Sequence, residues 1–291
     1  MPNASVASVE YRDLSRKTRN FRQRVAFIVV MLPFLGWVIA DGEWLFALTL
    51  AAALSMAAAE FGLLFQSRGL RPALPLLIVG VFILSAARYL WGFQWTPDLF
   101  AVIGLLGQVW HLVDYERGAT RSGTDYAITM GGILLLGWIG PYLISLRRLP
   151  DGLWWMLIVL PSVWLADGLA YLIGHVFGKR PLCRRLSPKK TWEGYLGGIV
   201  GGALGGTLLT LLWRIGAEQT GLFKPLHGLL LGTILGILTP LGDLGISMIK
   251  RELNVKDTSA LLPGHGGLLD RFDSWLWAGV IGYYFVLWLS S

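Results

Sequence analysis

Apolar runs follow one another along this chain with few polar breaks, and that succession leaves few folds open. A bilayer core is crossed by about 20 apolar residues in a helix, with a range of roughly 17 to 25. Nine stretches qualify: 25–40, 44–65, 73–90, 98–114, 127–146, 152–178, 194–215, 227–249 and 272–289. The first is short, and only Asp41, Gly42 and Glu43 separate it from the second. Backbone groups inside lipid must find partners within their own segment, which selects helices. The expected fold is therefore all-α, a polytopic membrane bundle of about nine transmembrane helices. Composition agrees, with 54% apolar and 15% charged residues and a mean hydropathy of +0.58. A soluble domain would carry roughly 25% charged residues, and a disordered chain would be far less apolar. The single cysteine, Cys183, excludes an internal disulfide framework.

The net charge of +7 is unevenly placed. Arg12, Arg16, Lys17, Arg19, Arg22 and Arg24 precede the first span. If that tail is cytoplasmic, the connections on the same side collect Arg68, Arg71, Arg117 and Arg121. They also collect Lys179, Arg180, Arg184, Arg185, Lys189, Lys190, Lys250, Arg251 and Lys256. Most of the 25 basic residues then obey the positive-inside rule, and Arg147 and Arg148 oppose it. The expectation is an amino terminus inside and a carboxyl terminus outside. A cleaved signal peptide would also begin with such a tail, but a second span follows almost at once. The tail reads as topology and contact with anionic lipid; nucleic acid is not an expected partner, because no soluble domain is present to hold it. The expected organisation is a basic cytoplasmic tail (1–24), an N-terminal transmembrane part (25–146) and a catalytic transmembrane part (147–291). Cytoplasmic loops of the last part cover 179–193 and 250–271. Without a eukaryotic targeting segment, a bacterial inner membrane is the expected location, with the active site on the cytoplasmic side.

Two glycine patterns recur every four residues: Gly197, Gly198, Gly201, Gly202, Gly205 and Gly206, then Gly228, Gly232 and Gly236. Such spacing lines one helix face with backbone and permits close helix packing.

Ionisable residues inside spans carry more information, because lipid penalises them. Asp167 shares a helical face with Tyr171, Gly174 and His175, which reads as the lining of a cavity. Asp243, Ser247, Lys250 and Arg251 form a polar stripe near the inner end of the eighth span. Downstream lie Lys256 and Asp257, the turn Pro263, Gly264, His265, Gly266, Gly267, and then Asp270, Arg271 and Asp273. A glycine turn feeding a helix start points N–H groups at an anion, so this loop is suited to phosphate. Hard carboxylate oxygens without a cysteine or histidine cluster select magnesium rather than zinc. Lys189 and Lys190, with Ser187 and Thr191 in a short connection, are placed to reach phosphate at the head-group layer.

From Ser247 to Asp273 the sequence reads SMIKRELNVKDTSALLPGHGGLLDRFD, which resembles the signature of the phosphatidate cytidylyltransferases, or CDP-diacylglycerol synthases. Ala166, Asp167 and Gly168 through Gly178 and Lys179, and LSPKKTWEG from Leu186 to Gly194, are similar to that family too. The detailed resemblance covers the carboxyl-terminal half. Ile246 and His175 depart from it, standing where glutamate and arginine are common.

The resemblance implies that CTP and phosphatidate are converted to CDP-diacylglycerol and pyrophosphate with magnesium. The lipid phosphate is an ionised nucleophile, so the chemical need is to bring anions together and neutralise the leaving pyrophosphate. On this reading Asp243 and Asp270 hold magnesium, with Asp273 and Asp167 as further ligands, and a second cation about 4 Å away is compatible with the set. Lys250, Arg251, Lys256 and Arg271 hold the triphosphate, while Ser247, His265 and the Gly264, Gly266 and Gly267 backbone add hydrogen bonds. Lys189 and Lys190 receive phosphatidate or share the nucleotide. A homodimer is expected by analogy. The rival readings are a CTP-dependent polyprenol kinase, a cytidylyltransferase for ether lipids, and an ion-coupled transporter using Asp167 and Asp243. A transporter has no need of the glycine-rich loop between lysines and an aspartate pair.

Overall fold

The computed structural model describes residues 33–42, 44–217, 221–259 and 266–291. The basic tail, the start of the first span, Gly264 and His265 lie outside the described residues. A helical stretch over 33–41 (α1) is followed by α2 (Trp44–Gln66), α3 (Leu74–Trp91) and α4 (Thr96–Glu116). Next come α5 (Ser122–Gly132), a π-helical segment (Ile133–Ile139), α6 (Tyr142–Arg147) and α7 (Gly152–Phe177). A hairpin of β1 (Pro181–Cys183) and β2 (Ser187–Thr191) leads into α8 (Trp192–Trp213), α9 (Pro225–Glu252) and α10 (Leu269–Ser290).

Among the described residues, seven helices are long and apolar enough to cross a membrane, counting Ser122–Arg147 as one. The expected span over 127–146 is thus not a uniform α-helix: it starts earlier and widens into the π segment before α6. α10 has 22 residues, but its tryptophans, tyrosines and initial charges keep it outside the seven. The hairpin departs from a purely helical chain. Its antiparallel register pairs Pro181 with Thr191 and Cys183 with Ser187. Lys189 and Lys190 therefore sit on a strand rather than in an irregular loop.

The glycine patterns act within the chain. Gly197 of α8 faces Ile173 of α7, and Gly205 faces Leu165. On the other side, a methyl group on Gly202 or Gly206 would land on the carbonyl oxygens of Gly232 or Gly228 in α9. The backbones of α8 and α9 therefore approach where only glycine fits, and α7, α8 and α9 form one slab. The remaining core is built from Leu54, Leu77, Leu84, Leu136, Trp155 and Val159 on α2, α3, the π segment and α7.

Arg147 and Arg148 oppose the charge pattern because they serve helix ends. Arg147 donates from Nε to the Ile39 carbonyl (2.7 Å) and from Nη2 to that of Ala40 (3.2 Å). Arg148 donates to the carbonyl of Tyr89 near the end of α3. Helix C-termini leave carbonyls without intrahelical partners and carry negative dipole potential, so a guanidinium there is stabilising wherever the membrane faces are.

Candidate active site

The polar groups gather at the end of the slab where α7 and α9 finish and α8 and α10 begin. The hairpin is anchored first. Thr191 caps α8 by accepting from the Gly194 amide (3.1 Å), and Glu193 accepts from the amides of Lys179 and Arg180 (3.1 and 3.2 Å). This fixes the direction of β2 and brings Lys190 over α9. Its Nζ lies 2.5 Å from Asp243 Oδ2. Ser247, one turn along α9, donates to Asp243 Oδ1 at 3.3 Å. Asp243 and Ser247 therefore share a face, as their spacing predicts.

Three carboxylates from three helices come within electrostatic reach there. Asp167 on α7 interacts with both Lys190 and Asp243, and Asp273 on α10 interacts with Asp243 and Arg271. The approach of α10 is set by Gly242, where any side chain would meet the Asp273 carbonyl and Trp277. Asp273 Oδ1 accepts from the Ser274 amide at 2.5 Å. The oxygens of Asp167, Asp243 and Asp273 are of the donor type that hard cations take. Among the described residues, however, no three acidic, histidine or cysteine side chains are drawn together closely enough to chelate an ion.

Asp270, one turn before Asp273 on α10, is heavily engaged by hydrogen-bond donors. Its Oδ1 accepts from Lys250 Nζ at 2.7 Å, both side chains being nearly buried. Its Oδ2 accepts from the Thr258 amide and hydroxyl (both 3.0 Å) and from the Gly267 amide (3.1 Å). One carboxylate thus ties α9, the loop after it and the start of α10 together. Gly266 lies alongside at φ +78°, and a methyl group there would sit 2.9 Å from Asp270 Oδ2. Both the backbone angle and the space demand glycine.

The remaining expected residues divide. Arg251 turns away from the Asp243 stripe and donates to the carbonyls of Leu186 and Val255 (both 3.3 Å), pinning the hairpin to the end of α9. Lys189, Lys256 and Arg271 are exposed cations around this end of the slab. The face expected to line a cavity beside Asp167 does not do so: Tyr171 is 74% exposed and stacks on the exposed His175 ring at 5.9 Å. Gly174 instead packs on Thr191 and Gly194.

Glu60 of α2 is part of this arrangement although the motifs do not include it. It is only 6% exposed. Oε1 accepts from Ser259 Oγ (2.7 Å) and the Leu268 amide (3.0 Å), and Oε2 from the Leu269 amide (3.0 Å); Thr258 Oγ, whose proton goes to Asp270, lies 3.4 Å from Oε2. It satisfies amides at the start of α10 that a helix cannot satisfy itself, and it adds negative charge at the positive dipole end. The sequence signal for it is a carboxylate well inside an apolar stretch, the same signal that marks Asp167.

Comparison with known proteins follows the whole chain. The Cytidylyltransferase family profile matches residues 22–289. A protein of Pseudomonas aeruginosa named phosphatidate cytidylyltransferase is 35% identical over 282 residues, covering 93% of this chain and 98% of its own. One of Synechocystis with the same name is 29% identical over 300 residues, covering 92% and 97%. A chloroplastic phosphatidate cytidylyltransferase of Arabidopsis thaliana is 29% identical over 306 residues, covering 94% and 74%.

Proposed function

Because this chain belongs to the Cytidylyltransferase family, we propose that it transfers the cytidylyl group of CTP to phosphatidate, forming CDP-diacylglycerol and pyrophosphate in the membrane. The observation that carries the reading is full-length similarity to enzymes of that name, combined with two lysine–carboxylate pairs meeting at one end of an apolar bundle. In the reaction a phosphate oxygen of phosphatidate attacks the α-phosphorus of CTP. The bond to the β-phosphate breaks, and pyrophosphate departs with the electron pair.

The residues present answer the needs of that step. Four or more negative charges must be held close together, and Lys190 and Lys250 are the cations best placed to do so. Without substrate each is neutralised by an aspartate, Asp243 or Asp270, so an arriving phosphate finds a preformed, positioned cation. The exposed Lys189, Lys256 and Arg271 at this end of the slab draw anions toward it, while Arg251 holds the hairpin in place. Phosphatidate approaches from the bilayer and CTP from water, which is why the site belongs at a helix end.

Magnesium, when bound, would offset charge on the triphosphate. Asp243, with Asp273 and Asp167, is the set we assign to it. Asp270, with donors on both oxygens, holds the loop, and would be free to join that set only if Lys250 turned to phosphate. The finer topology follows the same logic: adding α1 and α10 to the seven apolar helices makes nine spans. The amino terminus and the catalytic loops then share the cytoplasmic side of a bacterial inner membrane.

The test is incorporation of CTP labelled at the α-phosphate into lipid by the purified protein with phosphatidate and magnesium. Label in the lipid is expected, and Asp243→Asn should lower the rate about 100-fold or more. Transfer from γ-labelled CTP alone would identify a lipid kinase instead, and near-normal turnover in Asp243→Asn would remove the metal assignment.

A further inference from the structure

At the opposite end of the bundle a cavity of about 430 Å³ lies between the end of α3, the turn Gly92–Gln94, α6 and α10. Two helices measure its separation from the catalytic loops. α3 starts just after Arg68, whose side chain reaches the Asn254 carbonyl, and its 18 residues rise roughly 27 Å at 1.5 Å each. Tyr283, which lines the cavity, lies roughly 20 Å along α10 from Asp270.

Arg88 is the unusual group. Its side chain is 0% exposed and lines this cavity, where Nη1 donates to Ser145 Oγ at 3.3 Å and the Tyr142 side chain lies alongside. Nε and Nη2 have no partner among the described residues. The guanidinium lies 3.8 Å from the Phe93 ring centroid, 5.0 Å from that of Tyr142 and 5.3 Å from that of Trp138. Aromatic faces offset part of the cost of burying the charge, but they leave two N–H edges empty. Arg148 lines the same cavity, and none of its described lining residues is a carboxylate; Gln94 and Tyr283 add neutral donors. Two cations with no carboxylate partner among the described residues, one of them buried, call for an anion from outside the chain. A guanidinium fork suits a phosphate group. Trp91, exposed in the lining, and the exposed Trp95 next in sequence to Gln94 are the residue type that settles at the head-group layer.

We propose that this cavity binds a phosphate group, carried by a lipid of the leaflet facing away from the catalytic loops or present as free phosphate. The site stands apart from the transferase reaction and does not depend on it.

Native mass spectrometry of the whole protein, released from phosphatidate-free nanodiscs of phosphatidylglycerol and phosphatidylcholine, tests this. The unaltered protein should retain phospholipid. Gln94→Glu, an isosteric change at an exposed position that supplies an internal carboxylate, should retain about tenfold less, as should Arg88→Gln. Lipid that persists in excess inorganic phosphate identifies the lipid as occupant, and lipid displaced by it identifies free phosphate. Equal retention by the unaltered protein and Gln94→Glu overturns the proposal even if Arg88→Gln fails to fold.

Discussion

Glu60 and Asp270 show how much of this site rests on single carboxylates acting as hubs. Each accepts several hydrogen bonds from the segment 258–269, Glu60 from α2 and Asp270 from α10 itself. Replacing Glu60 by glutamine keeps the shape, but half of the amide group becomes a donor that faces other donors. A buried amide left without its acceptor costs about 1–3 kcal/mol, so Glu60→Gln should lower the melting temperature and CTP turnover together. Glu60→Asp, retaining the charge on a shorter arm, should recover part of the turnover, measured in the same lipid-incorporation assay. Activity unchanged in Glu60→Gln would show that the loop is held without it. Lys250, Asp270 and Gly266 are legible as a group in the linear sequence because they lie within one motif. Glu60 is not, because nothing local indicates which distant amides will meet it.

The α8–α9 contact gives the helices their relative height, and with it the height of Asp243 against Lys190. A methyl group on Gly232 would press on the Gly202 carbonyl, whereas one on Gly131 of α5 would meet nothing within 4 Å. Gly232→Ala should therefore destabilise the protein by about 1–3 kcal/mol. Gly131→Ala should instead be neutral or stabilising by up to about 1 kcal/mol, since helix propensity alone changes. Thermal unfolding in one detergent compares them, and equal effects would contradict the close backbone approach. The four-residue spacing announces that these glycines pack; it does not announce the partner. The packing expected of these glycines takes place within the chain, between α7, α8 and α9. The π segment has no such announcement: Ile133–Ile139 reads as ordinary helix, and only the structure shows it widened, with Gly137 and Gly140 packed on α3 and α2.

At the scale of the whole molecule, the sole cysteine is a built-in reporter of orientation. Cys183 is half-buried on β1, in the hairpin that carries Lys190. If the catalytic end is cytoplasmic, a membrane-impermeant maleimide should label it in inside-out vesicles and leave it unlabelled in right-side-out ones. Labelling only in the latter would invert the topology. Apolar run lengths, the ladder of basic residues and the motif from Ser247 to Asp273 are properties of the linear chain. They set the membrane setting, the helical class and the chemistry of the site, because hydropathy and charge act segment by segment. Which carboxylate pairs with which lysine, that Asp270 serves the loop while Asp167 and Asp273 each approach Asp243, and that Arg88 has no carboxylate partner among the described residues were decided by tertiary structure. Those outcomes depend on how helices distant in sequence are rotated and raised against each other, and side-chain packing sets that only when the bundle closes.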